Sequence, residues 1–147
     1  MKVLITGATG LIGSRIVKDC LEKEIKVSFL TTRKDKLDSL PGCEGFYWNP
    51  QKNIIDTNCF NEIDSIINLS GASIFRIWTK KNKELILNSR VQSLNFLRKQ
   101  LIENGVKIQS IVSASGIGAY PSSYEKEFYE TESVSYTHLR AHETSAN

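Results

Sequence analysis

Histidine is almost missing from this sequence. The 147 residues hold only His138 and His142, both within the last ten positions. Any mechanism built on histidine, as base or as metal ligand, therefore stands or falls with that terminal stretch. Cysteine is scarce too: Cys20, Cys43 and Cys59 are odd in number, and their separations of 23 and 16 residues give neither a CxxC nor a zinc-ligand spacing. A disulfide framework and a metal site are both excluded on that count. Free thiols, buried or half-buried in a reducing cytoplasm, are expected instead. No apolar run approaches the ~18 residues of a membrane span. No block of one charge sign stands out, and the net charge is only +3. Nothing here calls for a nucleic-acid partner or an anionic membrane surface. The hydrophobic (40%) and charged (24%) fractions are those of an ordinary globular chain, and the length fits one domain with a real core.

What the sequence does have is concentrated at its start. Lys2–Thr6 reads as a short apolar strand, Gly7-Ala-Thr-Gly10-Leu-Ile-Gly13 follows at once, and a helical pattern runs from Leu11 to about Lys23. Strand, glycine turn and helix in this order are the setting of a dinucleotide-binding turn. Gly7 permits the tight turn, Gly10 lets the backbone approach a pyrophosphate, and Gly13 lets the helix lie close on the strand. The N–H groups of the helix N-terminus then face the phosphates. The bland alternative is a glycine-rich turn of another α/β fold, such as a flavodoxin-like one. A strand and cofactor turn beginning at residue 2 leave no room for a cleaved signal peptide.

The rest alternates strands and helices. The first helix is expected to pack through Ile12, Ile16 and Cys20/Leu21. Ile25–Thr32 reads as a second strand buried on both faces. Beyond it, twenty residues past Gly13, stands Arg33, where NAD-binding folds place an acid for the ribose 2′-hydroxyl. No acid occupies the strand tip, and Asp35 comes two residues later. A planar guanidinium suits a 2′-phosphate, which favours NADP over NAD. Lys34–Leu40 reads as a short helix, Gly45–Trp48 as a third strand and Asn53–Asp56 as a small extended return. Ser65–Leu69 forms the fourth strand. Asn68-Leu69-Ser70-Gly71-Ala72 at its end is either a plain turn or a small-residue path beneath the nicotinamide-side ribose and phosphates. Thr79 is placed to cap a long helix ending near Asn104-Gly105, with Leu87, Val91, Leu94, Leu97/Arg98 and Leu101 as its packing stripe. Ser89-Arg90 within it is either a polar pair reaching the cofactor region or a solvated face. Val106–Ala114 makes a fifth strand, with Ser113 and Ser115 at its carboxyl end. The whole predicts an α/β fold, a doubly wound parallel sheet of the Rossmann type broken off after about five strands. Ligands of such sheets bind outside the carboxyl ends of the strands.

Beyond Ser133 the pattern changes. VSYTHLRAHET (134–144) has neither apolar periodicity nor turn logic and resembles a translated sequencing adapter. Residues 1–133 are therefore read as the N-terminal part of a dinucleotide-binding domain, and 134–147 as a non-native tail.

These motifs together resemble the extended short-chain dehydrogenase/reductase superfamily, and more closely its bacterial nucleoside-diphosphate-sugar epimerase subgroup. The resemblance rests on ITGATGLIG, Arg33, Tyr47-Trp48-Asn49-Pro50, Asn68–Ala72, Trp78-Thr79, Ser89-Arg90-Val91 and Ser113–Tyr120. It implies that Gly7, Thr9, Gly10, Leu11 and Ile12 hold the pyrophosphate and adenosine, and that Leu69, Ser70 and Gly71 line the nicotinamide half. It implies Ser115, or alternatively Ser113, as the serine that hydrogen-bonds the reacting oxygen. That serine's usual Tyr-xxx-Lys companion is absent: Tyr120, Tyr124, Tyr129 and Tyr136 are followed four residues on by Tyr, Phe, Ser and Arg. The function implied is the cofactor-binding half of an NADP-dependent epimerase or reductase, transferring hydride on a small-molecule, sugar-nucleotide-like alcohol or ketone. A non-catalytic NADP(H)-binding regulator or scaffold is the alternative.

Overall fold

The computed structural model describes residues 1–72, 77, 79–114, 127 and 129. Ser115, Tyr120, Arg76, Trp78, both histidines and the tail from 134 lie outside the described residues. Met1–Ser113 forms one compact unit.

Its elements are β1 (Lys2–Thr6), α1 (Leu11–Glu22), β2 (Lys26–Thr31), β3 (Cys43–Asn49), β4 (Ile54–Ile55), β5 (Ser65–Asn68), α2 (Lys80–Glu103) and β6 (Ser110–Ser113). They build one sheet in the order β4-β3-β2-β1-β5-β6. All neighbours are parallel except the short β4, which returns antiparallel on Trp48 and Asn49 of β3. The expected fourth and fifth strands are thus β5 and β6. The chain order reverses direction on either side of β1, which has β2 on one edge and β5 on the other. That switch point opens a crevice at the strands' carboxyl ends.

The alternation of β1 builds two cores. Val3 and Ile5 join Val17 and Cys20 of α1 with Val27 and Phe29 of β2. Leu4 joins Phe96 and Leu97 of α2 with Leu30, Trp48, Phe60, Ile63 and Ile66. One helix covers each face, as a doubly wound sheet requires. Each such side chain taken fully out of water contributes about 1.5–3 kcal/mol. The second strand is buried on both faces as expected, with only Lys26 exposed.

Both helices follow their apolar patterns only in part: Ile16 and Cys20 of α1 and Leu97 and Leu101 of α2 pack on the cores as expected. In α1 the buried positions are Gly13, Val17 and Cys20, whereas Ile12 is 64% and Leu21 37% exposed. Gly13 lies against the backbone of the turn at Gly7 and Ala8, where no side chain fits, and Ile12 then points outward. In α2 the inward line is Ser93, Phe96 and Leu97; Leu87 and Val91 are exposed. The middle of α2 lies over the crevice, where Ser89, Gln92 and Ser93 line it, while Leu85 and Ile86 before them are half-buried. Thr79 does cap α2, its Oγ1 accepting from the Asn82 N–H at 3.2 Å. Two elements are shorter than expected. The helix after Arg33 is a single 3-10 turn, Lys34–Lys36. Residues 106–109 approach the sheet without pairing: the Val106 N–H bonds Leu101 O, the Gln109 N–H bonds Asp64 O, and pairing starts at Ser110.

All three cysteines are free, Cys20 and Cys59 buried and Cys43 half-buried. Burial pushes the Cys59 thiol up to about 12, and it raises Cys20 and Cys43 as well. Reactive thiolates are not their role. No helix among the described residues is long and apolar enough to cross a membrane. Among those residues no cluster of His, Cys, Asp or Glu could hold a metal ion.

Candidate functional site

The crevice at the carboxyl ends of the strands is a cavity of about 550 Å³. Its floor is Gly7, Thr9 and Gly10; one wall is Leu69, Ser70 and Gly71 with Ser89, Gln92 and Ser93 of α2. The opposite wall is Leu30, Thr31 and Thr32 with Trp48, Asn49, Pro50 and Gln51. The turn at Pro50–Lys52 packs against α2, closing the far side.

The floor is shaped by what a side chain would hit. Gly7 sits at φ +71°, and a Cβ there would lie 3.0 Å from the backbone carbonyl of Leu69. The loop after β5 therefore passes directly against the turn after β1. Gly10 caps α1 with extended backbone and no side-chain bond, and the first turn of α1 carries no acid. The leading N–H groups of a twelve-residue helix thus face the cavity with their partial positive charge unopposed. This cradle fits a pyrophosphate. Leu11 and Ile12 follow Gly10 as exposed side chains, Leu11 at 92%, and neither lines the cavity.

A buried polar network ties the three strand ends together. The Thr6 hydroxyl, fully buried, donates to Asn68 Oδ1 at 2.7 Å and accepts from the N–H groups of Leu69 and Ser70, each at 3.1 Å. Ser70 Oγ donates to the same Asn68 oxygen at 2.9 Å, and Asn68 Nδ2 donates to Ser113 Oγ at 3.1 Å. Every buried side-chain polar atom among the described residues has a partner. Thr6 is a supporting residue that the sequence analysis does not single out, and Asn68 is named there only as the start of the Asn68–Ala72 turn, with no partner assigned to it. Two polar residues at the ends of strands 62 positions apart carry no local signal; only the β1–β5 register brings them together. Ser93, Gln92 and Trp48 were missed as lining residues as well, and for Ser93 a polar residue on the inward spacing of a helix was the available sign.

Of the Ser89-Arg90 pair, Ser89 lines the cavity and the exposed Arg90 lies beside it against Gly71. Ser89 Oγ accepts from the Ala72 N–H at 2.9 Å, and Arg90 Nη1 donates to Ala72 O at 3.3 Å and Ile86 O at 3.0 Å. The guanidinium lies against Gly71, where a Cβ would meet Cζ at 3.0 Å. Arg33 stands one residue beyond the cavity wall, its N–H bonded to Thr31 Oγ1 at 3.2 Å. Its guanidinium is exposed and held by Asp35, with Nε donating to Oδ1 at 3.1 Å and Nη2 to Oδ2. That hydrogen bonding lowers the Asp35 carboxyl and raises Arg33, so both stay charged at neutral pH. Ser113 ends β6 beside Asn68, while Ser115 lies outside the described residues.

With this geometry in place, the comparisons are specific. Residues 3–144 match the family described as NAD dependent epimerase/dehydratase family, a match that runs past Ser133. An epimerase family protein of Staphylococcus saprophyticus, SSP1921, is 37% identical over 131 residues, covering 87% of this chain and 43% of that protein. The epimerase family protein YfhF of Bacillus subtilis is 27% identical over 142 residues, covering 97% and 46%. Among solved structures, human epimerase family protein SDR39U1 (isoform 2) with NADPH superposes with a TM-score of 0.69 at 20% identity, over all of this chain and 49% of that one. UDP-glucose 4-epimerase of Thermus thermophilus in complex with NAD gives 0.67 at 20% identity, covering 92% and 44%. These last two likenesses are of fold. The chain spans less than half the length of each of these proteins.

Proposed function

Because the chain belongs to the NAD dependent epimerase/dehydratase family, we propose that it is the cofactor-binding half of an NADP-dependent epimerase or reductase acting in the cytoplasm on a sugar-nucleotide-like alcohol or ketone. The observation that carries this reading is the cavity in which an uncapped helix N-terminus, the Gly7 turn and the Leu69–Gly71 loop meet. Gly7, Thr9, Gly10, Leu11, Ile12 and Gly13 form the pyrophosphate cradle. Leu69, Ser70 and Gly71 flank the nicotinamide half. Arg33, with no acid at the tip of β2, supports the 2′-phosphate and hence NADP. When bound, the nicotinamide exchanges hydride with a carbinol or carbonyl carbon of the substrate. Ser115, or Ser113, holds the reacting oxygen. A nucleotide-sugar substrate is supported by the fold shared with UDP-sugar epimerases.

Titration of the protein with NADPH and NADH tests the cofactor. Tighter binding of NADPH is expected, and Arg33→Ala is expected to lose about tenfold or more of it while leaving NADH alone. Equal affinities in the unaltered protein would remove the NADP assignment.

A non-catalytic NADP(H)-binding role is the second reading, favoured by the lack of a Tyr-xxx-Lys pair within the 147 residues. The two part in the gene. We infer that residues 134–147 are not native and that the frame continues differently after Ser133. Sequencing the source DNA across those codons from an independent amplification is expected to show a continued frame. A Tyr-xxx-Lys pair in it supports the enzyme, and its absence supports the binder. The printed tail followed by a stop codon would overturn the tail assignment and the catalytic one.

A further inference from the structure

The end of β2 carries a small basic patch with one acid inside it. Arg33, Lys34 and Lys36 surround Asp35, and Lys34 is drawn aside over the Tyr47 ring, 5.1 Å from its centroid. Asp35 engages two donors of the Arg33 guanidinium side by side. Two parallel N–H bonds are also how that fork would grip a phosphate. We propose that Asp35 tunes cofactor selectivity: its carboxylate occupies the Arg33 fork that a 2′-phosphate would take, so that the preference for NADP(H) over NAD(H) is narrowed. The inference rests on the reading that Arg33 lies at the 2′ position of the adenosine ribose.

The chemistry of the two ligands differs at one group. A guanidinium has five N–H donors, and Asp35 uses two, so a phosphate can still bind the others. A phosphate there would share the guanidinium with a carboxylate of like charge and would be repelled by it. A 2′-hydroxyl carries no charge and can donate to that same carboxylate, as the acid at a strand tip does in NAD-binding folds. Asp35 therefore weakens one ligand and supports the other. Its place, two residues past Arg33 in a 3-10 turn and not at the strand tip, lets it act through the arginine.

Adenosine 2′,5′-bisphosphate and 5′-AMP are the probes, titrated calorimetrically into protein expressed from its complete reading frame. They report the 2′ site without any turnover. Asp35→Asn is expected to strengthen the bisphosphate about three- to tenfold and to leave AMP unchanged or weaker. No change, or the same change for both ligands, overturns the proposal. Arg33→Ala separates the two levels of the reading. If it abolishes discrimination while Asp35→Asn does nothing, only the role of Asp35 falls. If it leaves discrimination untouched, or if neither ligand binds the unaltered protein, the cofactor reading fails and takes this inference with it.

Discussion

Gly13→Ala is expected to destabilise the protein by about 2–4 kcal/mol and to weaken dinucleotide binding at least tenfold. In an isolated helix the same change stabilises by about 1 kcal/mol, because alanine is the better helix former. The surroundings reverse the sign. A Cβ on Gly13 would lie 2.2 Å from the carbonyl oxygen of Gly7, 2.7 Å from Ala8 Cα and 2.9 Å from Ala8 C. All three are backbone atoms, so no side chain can swing away. Relief comes only by lifting α1 from the turn, which draws Val17 and Cys20 off Val3, Ile5 and Phe29. The Gly7 carbonyl also accepts from the Gly10 N–H at 3.0 Å, so the displacement opens the turn that lines the cavity. Ser14→Ala is the control. Ser14 is exposed and its hydroxyl bonds only Leu11 O, one turn back, and its loss is expected to stay within about 0.5 kcal/mol. Urea unfolding and NADPH titration of the two variants check both effects. A Gly13→Ala protein as stable as Ser14→Ala would mean that helix and turn relax without strain.

This glycine was legible in the sequence because its constraint is local: strand, turn and helix start all lie between Lys2 and Gly13. The strand pattern was legible for a similar reason, since residues buried on both faces of a parallel sheet read as continuous apolar runs. The helical faces were legible only in part. An apolar stripe through Leu87 and Val91 presumed that the whole of α2 covers the core, but its middle covers a polar crevice, where Ser89 and Ser93 take the inward positions. Polar inward residues look the same in sequence as a solvated face. The grip of Asp35 on Arg33 was hidden differently: the acid was visible, but its distance from the strand tip suggested a turn residue outside the site. Only the exposed guanidinium folding back onto it makes the pair.

Thr6→Val is expected to cost about 1.5–3 kcal/mol and to loosen the loop after β5 that lines the cavity. The exchange is nearly isosteric, so packing is kept and only the hydroxyl is lost. Three bonds go with it: the donation to Asn68 Oδ1 and the two acceptances from Leu69 and Ser70 N–H. Their loss is unequal. Asn68 Oδ1 keeps Ser70 Oγ, and the Leu69 N–H keeps the Thr6 carbonyl at 3.2 Å. The Ser70 N–H has no second acceptor among these bonds, and an orphaned donor at a half-buried site carries most of the penalty. Because Leu69 presses on Gly7, releasing residues 69–71 also disturbs the turn after β1, so binding should fall along with stability. Thr6→Ser separates the causes: it keeps the hydroxyl and loses a methyl, so cofactor affinity should return while about 1 kcal/mol of stability stays lost. A double-mutant cycle of Thr6→Val with Asn68→Ala should show a coupling above about 0.5 kcal/mol, since the two residues share one bond and one loop. Additive effects, with NADPH affinity unchanged in Thr6→Val, would mean that the loop after β5 is held by Ser89 and Arg90 at Ala72 instead. The strand-end network would then serve the fold and not the site.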